Sequence, residues 1–241
     1  MKITIIIPAF NEEKLLPATL RSIQAAAVSF HRLNWQTELT VCDNNSTDRT
    51  AELARAHGAN VVFEPINQIA RARNTGARSA TGDWLLFIDA DSRPTAELFA
   101  DVAGAIQSGG CLAGGAVLKL EGHYPVAARL TGCWNFLSRA LRYVAGSFIF
   151  CEAGAFREVG GFNEDLYASE EIDLSRRLKK LARQRGSKIV ILRQHPLVTS
   201  ARKLHLYALG DHVRFLAKTL LTGKRNLRRR EACPTWYDGR R

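Results

Sequence analysis

Asp89 and Asp91 close the run Trp84-Leu85-Leu86-Phe87-Ile88-Asp89-Ala90-Asp91, an apolar stretch of strand length that ends in two carboxylates before Ser92-Arg93-Pro94 breaks it. In extended backbone, residues i and i+2 share a side, so the pair is expected to face one ligand. Two carboxylates at that spacing repel each other and are costly to bury without a cation. Oxygen donors suit Mg2+ or Mn2+, and Mg2+ takes one or two carboxylates and completes its shell with water and substrate phosphates. The alternative is a strand end with solvated acids, or an aspartate capping the next helix. The spacing alone does not decide between them.

A second acidic group stands in Ser169-Glu170-Glu171-Ile172-Asp173-Leu174. Ser169 reads as an N-cap with acids in the first turn, and Leu174, Leu178 and Leu181 mark the buried stripe of the helix that follows. Three carboxylates within four residues exceed what a cap needs, so they either order the helix start or project into a cleft.

The elements that position these acids alternate. Residues 2 to 7 form a β-branched apolar run, the pattern of a strand buried on both faces of a parallel sheet. A helix is expected over 12–28, a strand over 37–42, and a helix over 48–57 capped by Ser46 or Thr47 and stopped at Gly58. A short strand at 59–63, a helix over 68–80 carrying Arg71, Arg73 and Arg78, and the strand of 83–89 complete the first half. Such β-α alternation predicts an α/β fold with a doubly wound sheet whose loops at the strand C-terminal ends gather the ligand. The second half predicts a helix over 95–107, a strand over 111–118, a helical stretch at 123–145, the helix from Ser169 and a strand at 188–192. Tyr124, Trp134, Phe136 and Tyr143 in the helical stretch read as core or as an acceptor-binding wall, with core favoured by their helical spacing.

Composition sets the class. With 241 residues, 46% hydrophobic and 24% charged, the chain reads as globular, and no apolar run reaches the roughly 18 residues that span a bilayer. The N-terminus reads as a first strand instead of a signal peptide. Five scattered cysteines with no Cys-x-x-Cys read as reduced thiols of a cytosolic protein and argue against zinc. Of the net charge of +11, most sits in residues 201–241, which hold 11 Lys/Arg against 3 Asp/Glu. A basic helix is expected at 205–221, either on an anionic membrane surface or docked with a solvated basic face.

Several stretches together resemble the family 2 glycosyltransferases: Ile5-Ile6-Ile7-Pro8-Ala9-Phe10-Asn11-Glu12-Glu13, Asp43-Asn44-Asn45-Ser46-Thr47-Asp48, Ala72-Arg73-Asn74-Thr75-Gly76-Ala77, Phe87-Ile88-Asp89-Ala90-Asp91, Gly160-Gly161-Phe162-Asn163-Glu164 and Glu170-Glu171-Ile172-Asp173-Leu174. The resemblance implies a GT-A-type fold: a mostly parallel sheet flanked by helices, with a donor-binding half at 1–92, an acceptor-binding half at 93–200 and a basic helical extension at 201–241. It implies that Pro8, Ala9, Asn11 and Glu12 line a nucleotide pocket, that Asp43 bonds the base, that Arg73 approaches the donor diphosphate or sugar, and that Asp91 with Asp89 holds Mg2+ or Mn2+. The family's helix-start motif reads Glu-Asp, with the second acid as general base. That place is taken here by Glu171, with Glu170 as the competing candidate. Thr199-Ser200-Ala201-Arg202-Lys203 resembles a Ser-x-Arg-Arg segment whose cations clamp the leaving diphosphate. His195 and His205 are considered as further metal ligands.

The implied activity is inverting, metal-dependent transfer of one sugar from a nucleotide-diphosphate donor, expected to be UDP-linked, to an acceptor hydroxyl that the sequence does not identify. A lipid or lipid-linked saccharide suits the basic C-terminal stretch, and a soluble small-molecule or carotenoid-like acceptor stands beside it. The Gln-x-x-Arg-Trp signature of processive synthases is absent. Of the rival readings, a sugar-phosphate nucleotidyltransferase would open on a glycine-rich loop, and a nucleic-acid binder would spread its basic residues over a reading surface. A non-catalytic nucleotide-sugar-binding module differs only in activity.

Overall fold

The computed structural model describes residues 1–202 and 227–233. Its centre is β1 (Lys2–Ala9), which is buried almost throughout because Ile3, Ile5, Ile6 and Ile7 leave neither face polar. Parallel neighbours flank it, β2 (Gln36–Asp43) on one side and β4 (Trp84–Ile88) on the other, and β3 (Asn60–Phe63) extends the sheet beyond β2. Beyond β4 the sheet continues through β7 (Phe148–Glu152), β6 (Cys111–Leu120), β8 (Lys188–Thr199) and the two-residue β5 (Ser92–Arg93). The β4–β7, β6–β7 and β5–β8 pairings are antiparallel, while β6–β8 is parallel.

Two apolar cores form on the two faces of the sheet. On one, Ile3, Ile5 and Ile7 of β1 with Leu86 and Ile88 of β4 meet α1 (Leu16–Ala26), α2 (Val28–His31) and α5 (Ala96–Gln107). Here Phe30 stacks on Phe99 with ring centroids 4.9 Å apart. On the other, Ile6, Leu85 and Phe87 meet α4 (Ile69–Ser79), α7 (Ala153–Glu158) and α8 (Glu170–Gln184). Strand alternation thus divides each buried strand between two helical layers. α4 lies very close to β1, since a Cβ at Gly76 would come within 2.5 Å of Ile6 Cγ2. In the order β3-β2-β1-β4 the chain winds outward from β1 to β3 and then returns to the other side of β1 at β4, and ligands of doubly wound sheets bind at such a switch point.

Several sequence expectations need correction. The first helix does not begin at Glu12. The Glu12 carbonyl accepts from Leu15 and Leu16 in a turn, and α1 starts at Leu16 with Pro17 in its first turn, where the missing N–H costs nothing. α3 (Thr50–Ala56) is not capped by Ser46 or Thr47. Arg49 holds the N-cap place, and the Asp48 carboxylate accepts from the Thr50 amide at 2.9 Å. Ser169 does occupy the N-cap position of α8, but with left-handed φ of 62° and no side-chain cap bond.

β5, β7 and α7 were not foreseen. β8 runs to Thr199, well past the expected Leu192, because residues 193–196 bulge out between the Ala116–Leu192 and Leu118–Leu197 pairings. Pro196 is tolerated inside the strand there for that reason. α6 (Pro125–Leu141) ends short of 145 at Arg142, which has a left-handed φ of 50°. None of Tyr124, Trp134, Phe136 and Tyr143 is buried, so the expected core role fails for all four. The expected basic helix at 205–221 lies outside the described residues. Of the C-terminal region, Leu227 and Cys233 pack on Leu166 and Ala168, and the Leu227 carbonyl accepts from the Tyr167 amide at 2.7 Å.

Candidate active site

The loops after β1, β2 and β4 meet at the C-terminal edge of the sheet, as parallel strands require. After β1, Asn11 adopts a left-handed φ of 52°, a conformation that asparagine tolerates better than most residues. Its amide donates to Ser46 Oγ at 3.0 Å, and its Oδ1 accepts from the Thr47 amide at 2.8 Å. The Glu12 amide donates to Thr50 Oγ1 at 2.8 Å. Pro8 and Ala9 pair in register with Cys42 and Asp43, so both loops leave the sheet side by side. Asp43, buried at its strand end, accepts from the Ser46 amide at 3.1 Å.

Arg73 lies on α4 with its side chain 1% exposed. Its Nη1 donates to Glu170 Oε1 at 2.7 Å, and its Nη2 donates to Asp89 Oδ1 at 2.9 Å and to the Gly146 carbonyl at 2.8 Å. The guanidinium also sits 5.2 Å from the centroid of the Phe162 ring. Burial opposes a charge here, but Asp89, Glu170 and Glu171 outweigh it and hold Arg73 above the ordinary arginine range. One cation thus holds two carboxylates, Asp89 from the turn after β4 and Glu170 from the start of α8.

Glu170 and Glu171 differ in environment. Glu170 is buried and fixed on Arg73. Glu171 is half-buried, and a Cβ on Gly146 would stand 3.7 Å from its Cδ. Desolvation first, and then repulsion from Glu170, push the Glu171 carboxyl up to about 8. Its helix start is braced by Ser175, whose Oγ donates to the Glu171 carbonyl at 2.7 Å and accepts from the Val144 amide at 3.1 Å. Asp173 accepts from Arg177 Nε at 2.9 Å, an i,i+4 pair that orders the helix.

Asp89 and Asp91 do not lie in extended backbone, as the sequence suggested. β4 stops at Ile88, and a turn closed by the Ser92 amide on the Asp89 carbonyl at 3.1 Å carries the pair. The two carboxylates meet different guanidinium groups: Asp89 is on Arg73, while Asp91 Oδ2 is 3.7 Å from Arg202 Nη2. Arg202 also forms a bidentate pair with Glu12, at 2.8 and 2.6 Å. Burial again opposes its charge, and Glu12 and Asp91 hold it above the usual range. Among the described residues the buried Arg202 Nε has no hydrogen-bond partner. A cavity of about 410 Å3 opens beside it, lined by Lys14, Leu15, Glu121, Tyr124 and Ser200.

A divalent cation was expected at Asp89 and Asp91. Among the described residues no three His, Cys, Asp or Glu side chains gather as a protein-only metal cage. The donor set fits instead a Mg2+-like ion, which needs one or two carboxylates with water and phosphate oxygens. His195 takes no part, since its Nδ1 lies 3.0 Å from Asp101 Oδ2 on α5. His205 falls outside the described residues.

Three supporting side chains went unassigned in the sequence. Asn44 joins β2 to the segment before α4, donating to the Ile66 carbonyl at 2.6 Å and accepting from the Gln68 amide at 2.9 Å. Gln68 Nε2 donates to the Glu164 carbonyl at 2.6 Å. Asn74 clamps the loop before α8 by accepting from the Phe162 amide and donating to the Phe162 carbonyl, both at 2.9 Å. The clamp explains Gly161, which has φ of +67° and where a Cβ would approach Asn74 Oδ1 to 2.7 Å. For Asn44 and Asn74 the sequence signal was their place inside the quoted motifs, and Gln68 lies outside all of them.

Residues 4–157 match the family model for Glycosyl transferase family 2. An uncharacterized glycosyltransferase of Mycobacterium tuberculosis is 35% identical over 129 residues, covering 53% of this chain and 55% of that protein. The chain thus spans about half the length of such curated relatives. Among solved structures, the mannosyltransferase PcManGT of Pyrobaculum calidifontis, in complex with GDP-Man and Mn2+, superposes with a TM-score of 0.66 at 20% identity over 90% of this chain and 60% of that one. TarS 1-349 of S. aureus, in complex with UDP-GlcNAc, gives a TM-score of 0.64 at 18% identity over 99% and 79% of the two chains. At those identities the likeness establishes the GT-A-type α/β fold.

Proposed function

Since this chain belongs to glycosyl transferase family 2, we propose that it moves a single sugar, with inversion, from a UDP-linked donor to an acceptor hydroxyl on a lipid or lipid-linked saccharide. The observation that carries this reading is the cluster in which buried Arg73 holds Asp89 and Glu170 while Glu171 beside them is pushed up to about 8. A carboxylate with a raised proton affinity suits a general base working near neutral pH.

In this reading Glu171 takes the proton from the acceptor hydroxyl as that oxygen attacks the anomeric carbon. Glu170 positions Arg73, which supports the choice of Glu171 over Glu170 as the base. Pro8, Ala9, Asn11, Glu12 and Asp43 line the nucleotide pocket at the switch point, with Asp43 toward the base. Arg202 faces the diphosphate as a forked donor. Asp91, with Asp89, would hold Mg2+ or Mn2+, which supplies electrostatic stabilisation of the leaving nucleotide diphosphate. Residues 1–92 serve as the donor half and 93–200 as the acceptor half of one catalytic domain. Support for a nucleotide-sugar donor comes from the UDP-GlcNAc and GDP-Man complexes of the structural relatives.

The test is calorimetric titration of UDP and GDP, each with and without Mn2+, into the wild type and Asp91→Asn. Metal-dependent UDP binding that Asp91→Asn abolishes is expected. Absence of metal-dependent binding by either nucleotide would overturn the donor assignment.

A further inference from the structure

α6 is docked with its apolar side outward. Val126, Leu130, Cys133, Phe136, Leu137 and Leu141 fall on one helical stripe, and all are exposed, Phe136 by 67%, Val126 by 59% and Leu130 by 54%. The opposite side meets the protein through Ala127, Thr131, Trp134 and Asn135, which are half-buried, and through Ser138, the buried residue of the helix. Its rotation is fixed by hydrogen bonds. Asn135 accepts from the Leu118 amide and donates to the Leu118 carbonyl, both at 2.9 Å, and Ser138 Oγ donates to the Tyr143 carbonyl at 2.5 Å. Turning the stripe inward would break these bonds, so among the described residues the apolar face is held outward.

Charge selects among partners. Residues 122–151 contain Arg129, Arg139 and Arg142 and no Asp or Glu. A second copy meeting this stripe through the same stripe would bring arginine to arginine. Phospholipid headgroups supply both the apolar layer and the negative charge. The helix has 17 residues, about 25 Å at 1.5 Å per residue, short of the roughly 30 Å needed to cross the hydrocarbon core. It therefore lies in the plane of the surface.

We propose that α6 is an interfacial helix that seats this face of the protein on an anionic bilayer. The chain after α6 leads to Gly146, whose carbonyl accepts from Arg73 at 2.8 Å, so the seated helix brings the Glu171 side of the site toward the lipid surface. That consequence for the acceptor rests on the glycosyl transfer reading; the bilayer contact does not.

The full chain is labelled at Cys133, which is exposed while Cys42, Cys111, Cys151 and Cys233 are buried, with an environment-sensitive maleimide dye. Vesicles of phosphatidylglycerol and phosphatidylcholine, or of phosphatidylcholine alone, are then titrated in. A blue shift with the anionic vesicles is expected. Co-sedimentation of the unlabelled chain should weaken roughly tenfold or more in Leu130→Gln/Leu137→Gln, which removes two apolar contacts, and it should weaken and become less salt-sensitive in Arg129→Gln/Arg139→Gln. The basic residues of 202–241 are present in every variant, so their attraction is constant across the comparison. Unchanged vesicle binding in the Leu130/Leu137 variant, or no vesicle binding at all, would overturn the proposal. So would a dimer of the wild type that this variant dissociates in sedimentation velocity. UDP titration of each variant reports folding and the donor site separately: vesicle binding without nucleotide binding would remove the donor assignment and leave the bilayer contact standing.

Discussion

Adjacent carboxylates on one helix start carry different chemistry here because Arg73 reaches only one of them. Glu170 is paired at 2.7 Å, whereas Glu171 is desolvated beside two other acids. Glu171→Gln is expected to lower turnover by about 100-fold to 10,000-fold, the usual worth of a positioned general base, with UDP affinity unchanged by calorimetry. Wild-type turnover should rise with pH and level off above about 8, as the Glu171 carboxyl ionises. Stability should move the opposite way. The folded-state value of about 8 lies above the ordinary 4.5, so between the two the folded chain binds more protons than the unfolded chain, and stability falls as pH rises through that window. Above pH 8, Glu171→Gln should therefore be more stable than the wild type by roughly 1–2 kcal/mol in urea melts, after discounting for its partial exposure. Glu170→Gln should do the reverse. It leaves buried Arg73 with one carboxylate fewer and costs about 2–3 kcal/mol, since hydrogen bonds to charged groups are worth that much.

At the scale of elements, the site depends on amides that lock helices to loops. Asn74 on α4 holds the Gly161–Phe162 backbone, and Phe162 in turn stacks against Arg73. Asn74→Ala would strand the Phe162 amide in a buried setting, at a cost of about 1–3 kcal/mol in thermal or urea melts. Because the Phe162 ring would shift under Arg73, a larger loss in turnover than in UDP affinity is expected. The first βαβα units were legible in the sequence because β1 and β4, buried on both faces, read as nearly unbroken apolar runs, and the early strands were each followed by a polar loop and a helix. β7 was not. Its five residues follow Gly146 closely, and an apolar run so short has no period to separate strand from buried loop. The end of β8 was hidden by His195-Pro196, which reads as a strand break until the bulge opposite Val117 is seen. The aromatics of α6 misled for a related reason. Helical spacing identifies a common face and says nothing of which way that face is turned.

At the scale of the whole molecule, the candidate donor site joins residues far apart in the chain. Arg202, just past the last strand, grips Glu12, just past the first, and stands near Asp91 from the middle. Such long-range links were unreadable from spacing, although each partner lay in a motif. They also mean that a ligand held there stabilises the fold as a unit. A ligand at about 100 times its dissociation constant adds about 2.7 kcal/mol to the native state. For a chain of 241 residues, at about 2–4 °C per kcal/mol, UDP with Mn2+ should raise the melting temperature by roughly 5–10 °C. A chelator should reverse the rise, and Asp91→Asn should not show it. Arg202→Lys should retain only part of it, because an ammonium cannot reproduce the forked contact. An equal rise in wild type and Asp91→Asn would place the nucleotide away from the β1–β4 switch point.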